Sequence, residues 1–123
     1  MKNPDDSFLK GRLRSLKFAV KGAWLLITTE HSIMVQFTIG LLVTVLGFFM
    51  NLSANEWMFQ CLAIGMVLVA ESLNTGIEKL CDFVHPDYHE KIGFIKDISA
   101  GAATFAAIVG VIIGLIIYLP KFF

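Results

Sequence analysis

Long apolar runs, broken by short polar stretches, set the organisation of the chain. Residues 31–55 contain no Asp, Glu, Lys or Arg. Within them, 32–50 (SIMVQFTIGLLVTVLGFFM) is long enough to cross a hydrocarbon core of about 30 Å. The polar turn 51–56 follows. A second apolar run starts at Trp57, a residue type favoured at the lipid–water boundary, and continues through Val69-Ala70 until it meets Glu71. After a polar segment, 78–97, residues 98–119 form a third run that ends at Tyr118 and Pro120. The pattern predicts an all-α integral membrane protein in one membrane domain, 1–123. Its transmembrane helices are expected at about 31–50, 57–82 and 97–119.

Ahead of the first span the period changes. Leu9, Leu13, Leu16, Val20, Ala23, Trp24 and Ile27 recur at helical spacing, with Lys10, Arg14, Lys17 and Lys21 beside them. This predicts an amphipathic surface helix over about 7–29. Either it lies in the membrane interface with its basic side toward anionic headgroups, or it packs on the bundle. A basic amphipathic start of this kind is not expected to be a cleavable signal peptide. In the third span Ala103, Ala107, Gly110 and Gly114 share a face, which favours a close helix contact within or between chains.

Composition agrees with a membrane protein: 56% of residues are hydrophobic, and mean hydropathy is +0.72. Net charge is zero, so no nucleic-acid partner is expected. Lys and Arg are unevenly placed. Lys2, Lys10, Arg12, Arg14, Lys17 and Lys21 precede the first span, none lies in 51–56, and Lys79, Lys91 and Lys96 lie in 78–97. Only Lys121 follows the last span. The positive-inside rule puts the N-terminus and the 78–97 segment in the cytoplasm. Cys61 and Cys81 fall on one helix about 30 Å apart, too far for a disulfide, and read as buried structural thiols.

The candidate chemistry lies where the second span meets the cytoplasm. At about 100° per residue, Glu71, Asn74, Thr75, Glu78 and Asp82 share one helix face. Counted from Trp57, Glu71 lies about 21 Å in, inside the inner leaflet, and Glu78 lies about 10 Å further, at the surface. A carboxylate at the depth of Glu71 costs about 2.5–3.5 kcal/mol on insertion scales. Three roles fit it: a protonated structural group, a proton or ion relay of a small channel or transporter, or a catalytic base. Glu30, at the end of the amphipathic helix, joins Glu78 at the surface. Two such carboxylates suit magnesium held beside a nucleotide. Lys96 can neutralise phosphate oxygens, and Asp97 can pair with it or cap the third span. His85 and His89 are four apart, but Pro86 breaks the helix that would align them, so no zinc site is expected. Soluble phosphate-loop, dinucleotide and protein-kinase signatures are absent.

Glu71-Ser72-Leu73-Asn74-Thr75-Gly76-Ile77-Glu78, then Asp82, then Lys96-Asp97 opening an Ala/Gly-rich span, resembles the prokaryotic diacylglycerol kinase family, which includes undecaprenol kinases. Lys21-Gly22 and the order of spans match as well, and the resemblance covers about 12–119. It implies a homotrimer in the bacterial cytoplasmic membrane. Its implied reaction is transfer of the γ-phosphoryl group of magnesium ATP to a lipid alcohol, giving phosphatidic acid or undecaprenyl phosphate. Carried over by motif, Glu71 is implied as the base, with Asn74 and Asp97 beside it in the catalytic site. Glu30 and Glu78 are implied as magnesium ligands. The implied ATP-site positions are Phe18, Glu30, Glu78, Asp87, Tyr88, His89, Lys96 and Asp97. The chain departs from the pattern at Gly76, usually Ala, and at Phe18, Asp87 and Met34, where some members have Tyr, Glu and Arg. Ser99-Ala100-Gly101-Ala102 and the 114–120 ending look more like members from Gram-positive bacteria, which favours undecaprenol slightly over diacylglycerol.

Overall fold

The computed structural model describes residues 3–123; Lys2, counted above, lies outside the described residues. Those residues form four helices and no strand: α1 (Phe8–Thr29), α2 (His31–Phe49), α3 (Ala54–Val84) and α4 (Glu90–Phe122). The last three are long and apolar enough to cross a membrane, as the hydropathy pattern predicts.

Local chemistry explains each boundary. Ser7 caps α1, its hydroxyl accepting the Lys10 amide at 3.3 Å. Glu30 alone separates α1 from α2: its extended backbone ends one helix while its carbonyl accepts the Met34 amide at 2.9 Å in the next. Between α2 and α3 the chain reverses through Asn51, whose φ of 52° lies in the left-handed region that asparagine tolerates. Ser53 and Glu56 then form a capping box: the Ser53 hydroxyl accepts the Glu56 amide at 3.2 Å, and the Glu56 carboxylate accepts the Ser53 amide at 3.0 Å.

The polar segment 78–97 is mostly helix. α3 has no breaker before His85-Pro86 and runs on to Val84, while α4 restarts once the His89 ring caps it by accepting the Lys91 amide at 3.1 Å. The connection is therefore only 85–89. Asp97, considered as the cap of the third span, lies two turns inside α4 and caps nothing. At 31 and 33 residues, α3 and α4 are about 46 and 50 Å long, so their paired ends project beyond a hydrocarbon core of about 30 Å.

The buried core follows the α3–α4 seam and is made of small or slender side chains: Ala63, Thr75, Cys81, Ser99, Ala103, Ala106 and Ile117, with Ile33 of α2 and Gln60. The small face of α4 is used within the chain. Ala103 is buried, and Gly110 sits so close to Val67 that a Cβ would come within 3.2 Å of it. Large apolar side chains such as Leu42, Leu62 and Ile116 point outward, as lipid solvent permits. Cys81 is buried but Cys61 is exposed, because it faces away from the seam; both are free thiols. No α1 residue is buried, and its apolar face, Leu9 through Trp24, is left uncovered by the rest of the chain.

Candidate active site

The stripe on α3 is continuous. Thr75 is buried and its hydroxyl donates to the Glu71 carbonyl one turn back, at 3.0 Å. This bond returns the polar group to its own helix. Glu71 is half-buried, and its carboxylate makes no hydrogen bond or ion pair among the described residues. One turn toward the polar end, the Asn74 amide donates to Glu78 Oε1 at 3.3 Å, which orients that carboxylate. The carbonyl oxygen of Asn74 is buried without a partner, and so is the Ser99 hydroxyl on α4.

Two ion pairs tie the helices together around Glu78. Lys79 Nζ reaches Glu30 at 2.9 Å, which brings the α1–α2 corner to the turn of α3 that carries Glu78. Lys96 Nζ reaches Asp82 at 2.5 Å, which joins α4 to α3 one turn further on. Lys96 thus pairs with Asp82 and not with its neighbour Asp97, because helix geometry points adjacent residues apart. Asp97 is exposed, on the same polar portion of α4.

The 85–89 connection sits at the same end. The His85 Nδ1–H donates to the Asp87 carbonyl at 2.7 Å, leaving the Asp87 carboxylate outward. Tyr88 is 88% exposed, its ring alongside Gly93. Helix periodicity argued against bringing His85 and His89 together, yet the turn places their rings edge to face, with centroids 5.2 Å apart. His89 uses its Nδ1 as a cap, and among the described residues no three His, Cys, Asp or Glu side chains gather as a metal cluster. Phe18 stands little more than three turns before Glu30 on α1, about 18 Å along the axis, so a single chain leaves its half-exposed ring away from the carboxylates.

Sequence reasoning placed Glu30 and Glu78 at one surface but missed the cation between the helices. Lys79 follows Glu78 directly and falls off the stripe by one position, so helical spacing alone hides it. Asp82 was visible as part of the stripe, but its partner Lys96 is a contact between helices.

The donor set fits magnesium and not a soft metal. Glu30 and Glu78 offer carboxylate oxygens, Asn74 supports one of them, and a magnesium ion keeps most of its shell for water and phosphate oxygens.

Comparison with known proteins gives the family. A profile of the prokaryotic diacylglycerol kinase family matches residues 17–118. An undecaprenol kinase from Bacillus subtilis (strain 168) is 36% identical over 108 residues, covering 88% of each chain. A diacylglycerol kinase from Synechocystis is 31% identical over 109 residues, 88% of this chain and 62% of that one. The diacylglycerol kinase of Escherichia coli (strain K12) is 32% identical over 72 residues, 58% of this chain and 59% of that one. The chain belongs to the prokaryotic diacylglycerol kinase family, a family of lipid kinases.

Proposed function

We propose that this protein transfers the γ-phosphoryl group of magnesium ATP to the hydroxyl of a membrane lipid alcohol, with undecaprenol favoured over diacylglycerol. The observation that carries the reading is the division of one α3 face. Glu71 stands unpartnered within the apolar span, while Glu78, supported by Asn74, stands at the polar end beside Glu30, Lys79, Asp82 and Lys96. A lipid hydroxyl reaches the first from the side, and a water-soluble phosphate donor reaches the second. The preference for undecaprenol rests on the relative of that name, which matches over nearly its whole length.

Phosphoryl transfer needs alignment and charge neutralisation more than covalent help. Glu71 accepts the hydroxyl hydrogen bond and takes the proton as the new P–O bond forms and the bond from the γ-phosphorus to the bridging oxygen breaks, ADP leaving. Lys96 leaves Asp82 for phosphate oxygens, a small loss for an exposed pair. Glu30 and Glu78 would hold magnesium, which when bound neutralises the phosphate charge. Asp97 lies beside Lys96 on the same end of α4, and Asp87, Tyr88 and His89 form the turn that covers the nucleotide. Phe18 reaches the nucleotide from α1 of a neighbouring subunit.

The site belongs to a homotrimer in the bacterial cytoplasmic membrane, with the α3–α4 turn and the N-terminus inside and α1 along the interface. Leu62, Met66, Val69, Leu73, Ile77, Leu80 and Val84 are all exposed in the single chain and repeat at three- and four-residue steps along α3. A groove of about 600 Å³, lined by Cys61, Gly65, Leu73 and Ala102, runs beside this stripe. Both are accounted for if α3 helices of three copies associate.

The test is a mixed-micelle assay with magnesium ATP and both lipids offered side by side. Glu71→Gln is expected to lower kcat by a factor of about 10²–10⁴ while the oligomer is retained. Full activity of that variant would remove Glu71 from the mechanism, and ion flux without lipid phosphorylation would favour a channel.

A further inference from the structure

A second feature shares the Glu71 face of α3. Between α2, α3 and α4 lies a cavity of about 560 Å³ with a mostly apolar lining, Gln36, Gln60 and Tyr118 being its polar side chains. Its α3 wall includes Gln60, Ile64 and Val67. Glu71 follows Val67 by one helical turn, and Gln60 lies three turns from Glu71 in nearly the same direction, about 16 Å along the axis. The α3 lining therefore runs from Val67, one turn from Glu71, to Gln60.

The Gln60 end is built from all three helices. Gln60 is only 4% exposed. Its amide Nε2 donates to the Val43 carbonyl of α2 at 3.4 Å, and its Oε1 accepts the Tyr118 hydroxyl of α4 at 2.5 Å. The Tyr118 oxygen is also 3.3 Å from that Val43 carbonyl. In a low-dielectric setting such a satisfied polar strap does not yield to a hydrocarbon chain, which offers nothing in exchange for its bonds.

Resting on the lipid kinase reading, we propose that the Gln60–Tyr118–Val43 strap is a tail-length stop. The cavity receives the first part of the hydrocarbon tail of an acceptor whose hydroxyl sits at Glu71. The strap halts a straight tail about 16 Å in and turns any longer tail out between the helices. Gln60 and Tyr118 are then specificity-determining residues, far from the transferred phosphoryl group. Hydrophobic burial does not drive this selection, since bilayer and cavity are equally apolar. It acts through fit and so appears as a length profile.

The experiment measures kcat/KM for diacylglycerols with octanoyl, lauroyl, palmitoyl and longer saturated chains in mixed micelles. Among saturated diacylglycerols wild type is expected to be most active at intermediate length, while undecaprenol, whose tail outruns the stop, leaves between the helices. Tyr118→Ala with Gln60→Ala opens the stop, and should raise the long-to-short ratio of kcat/KM at least threefold. Gly114→Leu acts in the opposite sense: Gly114 lines the cavity, and a Cβ there meets nothing within 4 Å. That variant should lower the same ratio at least threefold. Helix content and elution volume check folding for each variant. Phosphorylation with one length profile shared by wild type and both variants, or of undecaprenol but no diacylglycerol, would overturn the stop and leave the kinase reading standing. No phosphorylated lipid with any acceptor, including undecaprenol, would overturn both.

Discussion

Among the carboxylates of the α3 stripe, Glu71 alone lacks a partner: Glu78 has the Asn74 amide and Asp82 has the Lys96 ammonium. A group left unpaired at a cost of about 2.5–3.5 kcal/mol calls for a partner from outside the chain, and in the proposed reaction a lipid hydroxyl would supply one. Asn74 acts by holding Glu78. Asn74→Leu removes that bond and also the buried, unpartnered carbonyl oxygen, so stability should change by less than about 1 kcal/mol. If Glu78 holds magnesium, the magnesium concentration for half-maximal rate should rise about 10–100-fold, read from activity at saturating ATP. Lys96 gives the complementary case. Its pair with Asp82 is partly exposed and worth at most about 1 kcal/mol, so Lys96→Met should barely move thermal unfolding. The same variant should raise the KM for ATP at least tenfold, and an unchanged KM would return Lys96 to a structural role.

At the scale of the helices, hydropathy and period made the spans and the stripe legible, because lipid solvent demands uninterrupted helix and a carboxylate face stands out against it. The boundaries were less legible. Asp97 stands before an Ala/Gly-rich apolar run and has the form of a cap, but the breaker that matters is Pro86, and the residue that caps is His89. A histidine cap depends on ring orientation, which no spacing rule gives. Helix contacts were legible only in kind. The Gly110–Gly114 pair announced a close approach, and one of the two glycines makes it. Gly47 drew no notice, yet a Cβ there would lie 2.8 Å from the Trp57 ring across the α2–α3 turn. Gly47→Leu is therefore expected to lower stability by about 1–3 kcal/mol in denaturant titration, through forced displacement of that ring. Gly114→Leu, entering open space, should cost less than about 1 kcal/mol.

For the whole molecule, most large apolar side chains face outward, on α4 as well as on α3. On α4, Ile108, Ile112, Leu115 and Leu119 are exposed at three- and four-residue steps, but they lie within the apolar span, where lipid can cover them. On α3 the apolar stripe keeps its three–four rhythm past the hydrocarbon core to Leu80 and Val84, where lipid no longer explains it. Water-exposed apolar residues in coiled-coil register want another helix. The proposed seam between copies would account for an α3 longer than the bilayer requires. The placement of Glu30 against Lys79 was out of reach of the sequence: it depends on which way α1 leaves α2. Leu73→Trp puts bulk into the seam, while Ile116→Trp puts the same bulk into lipid. In detergent the first should shift the molecular mass from trimer toward monomer and lose most lipid kinase activity. The second should leave both within about twofold of wild type, since an exposed lipid-facing position tolerates an apolar exchange. Equal behaviour of the two variants by light scattering would mean that α3 faces lipid along its whole length, and that the site must be completed within one chain.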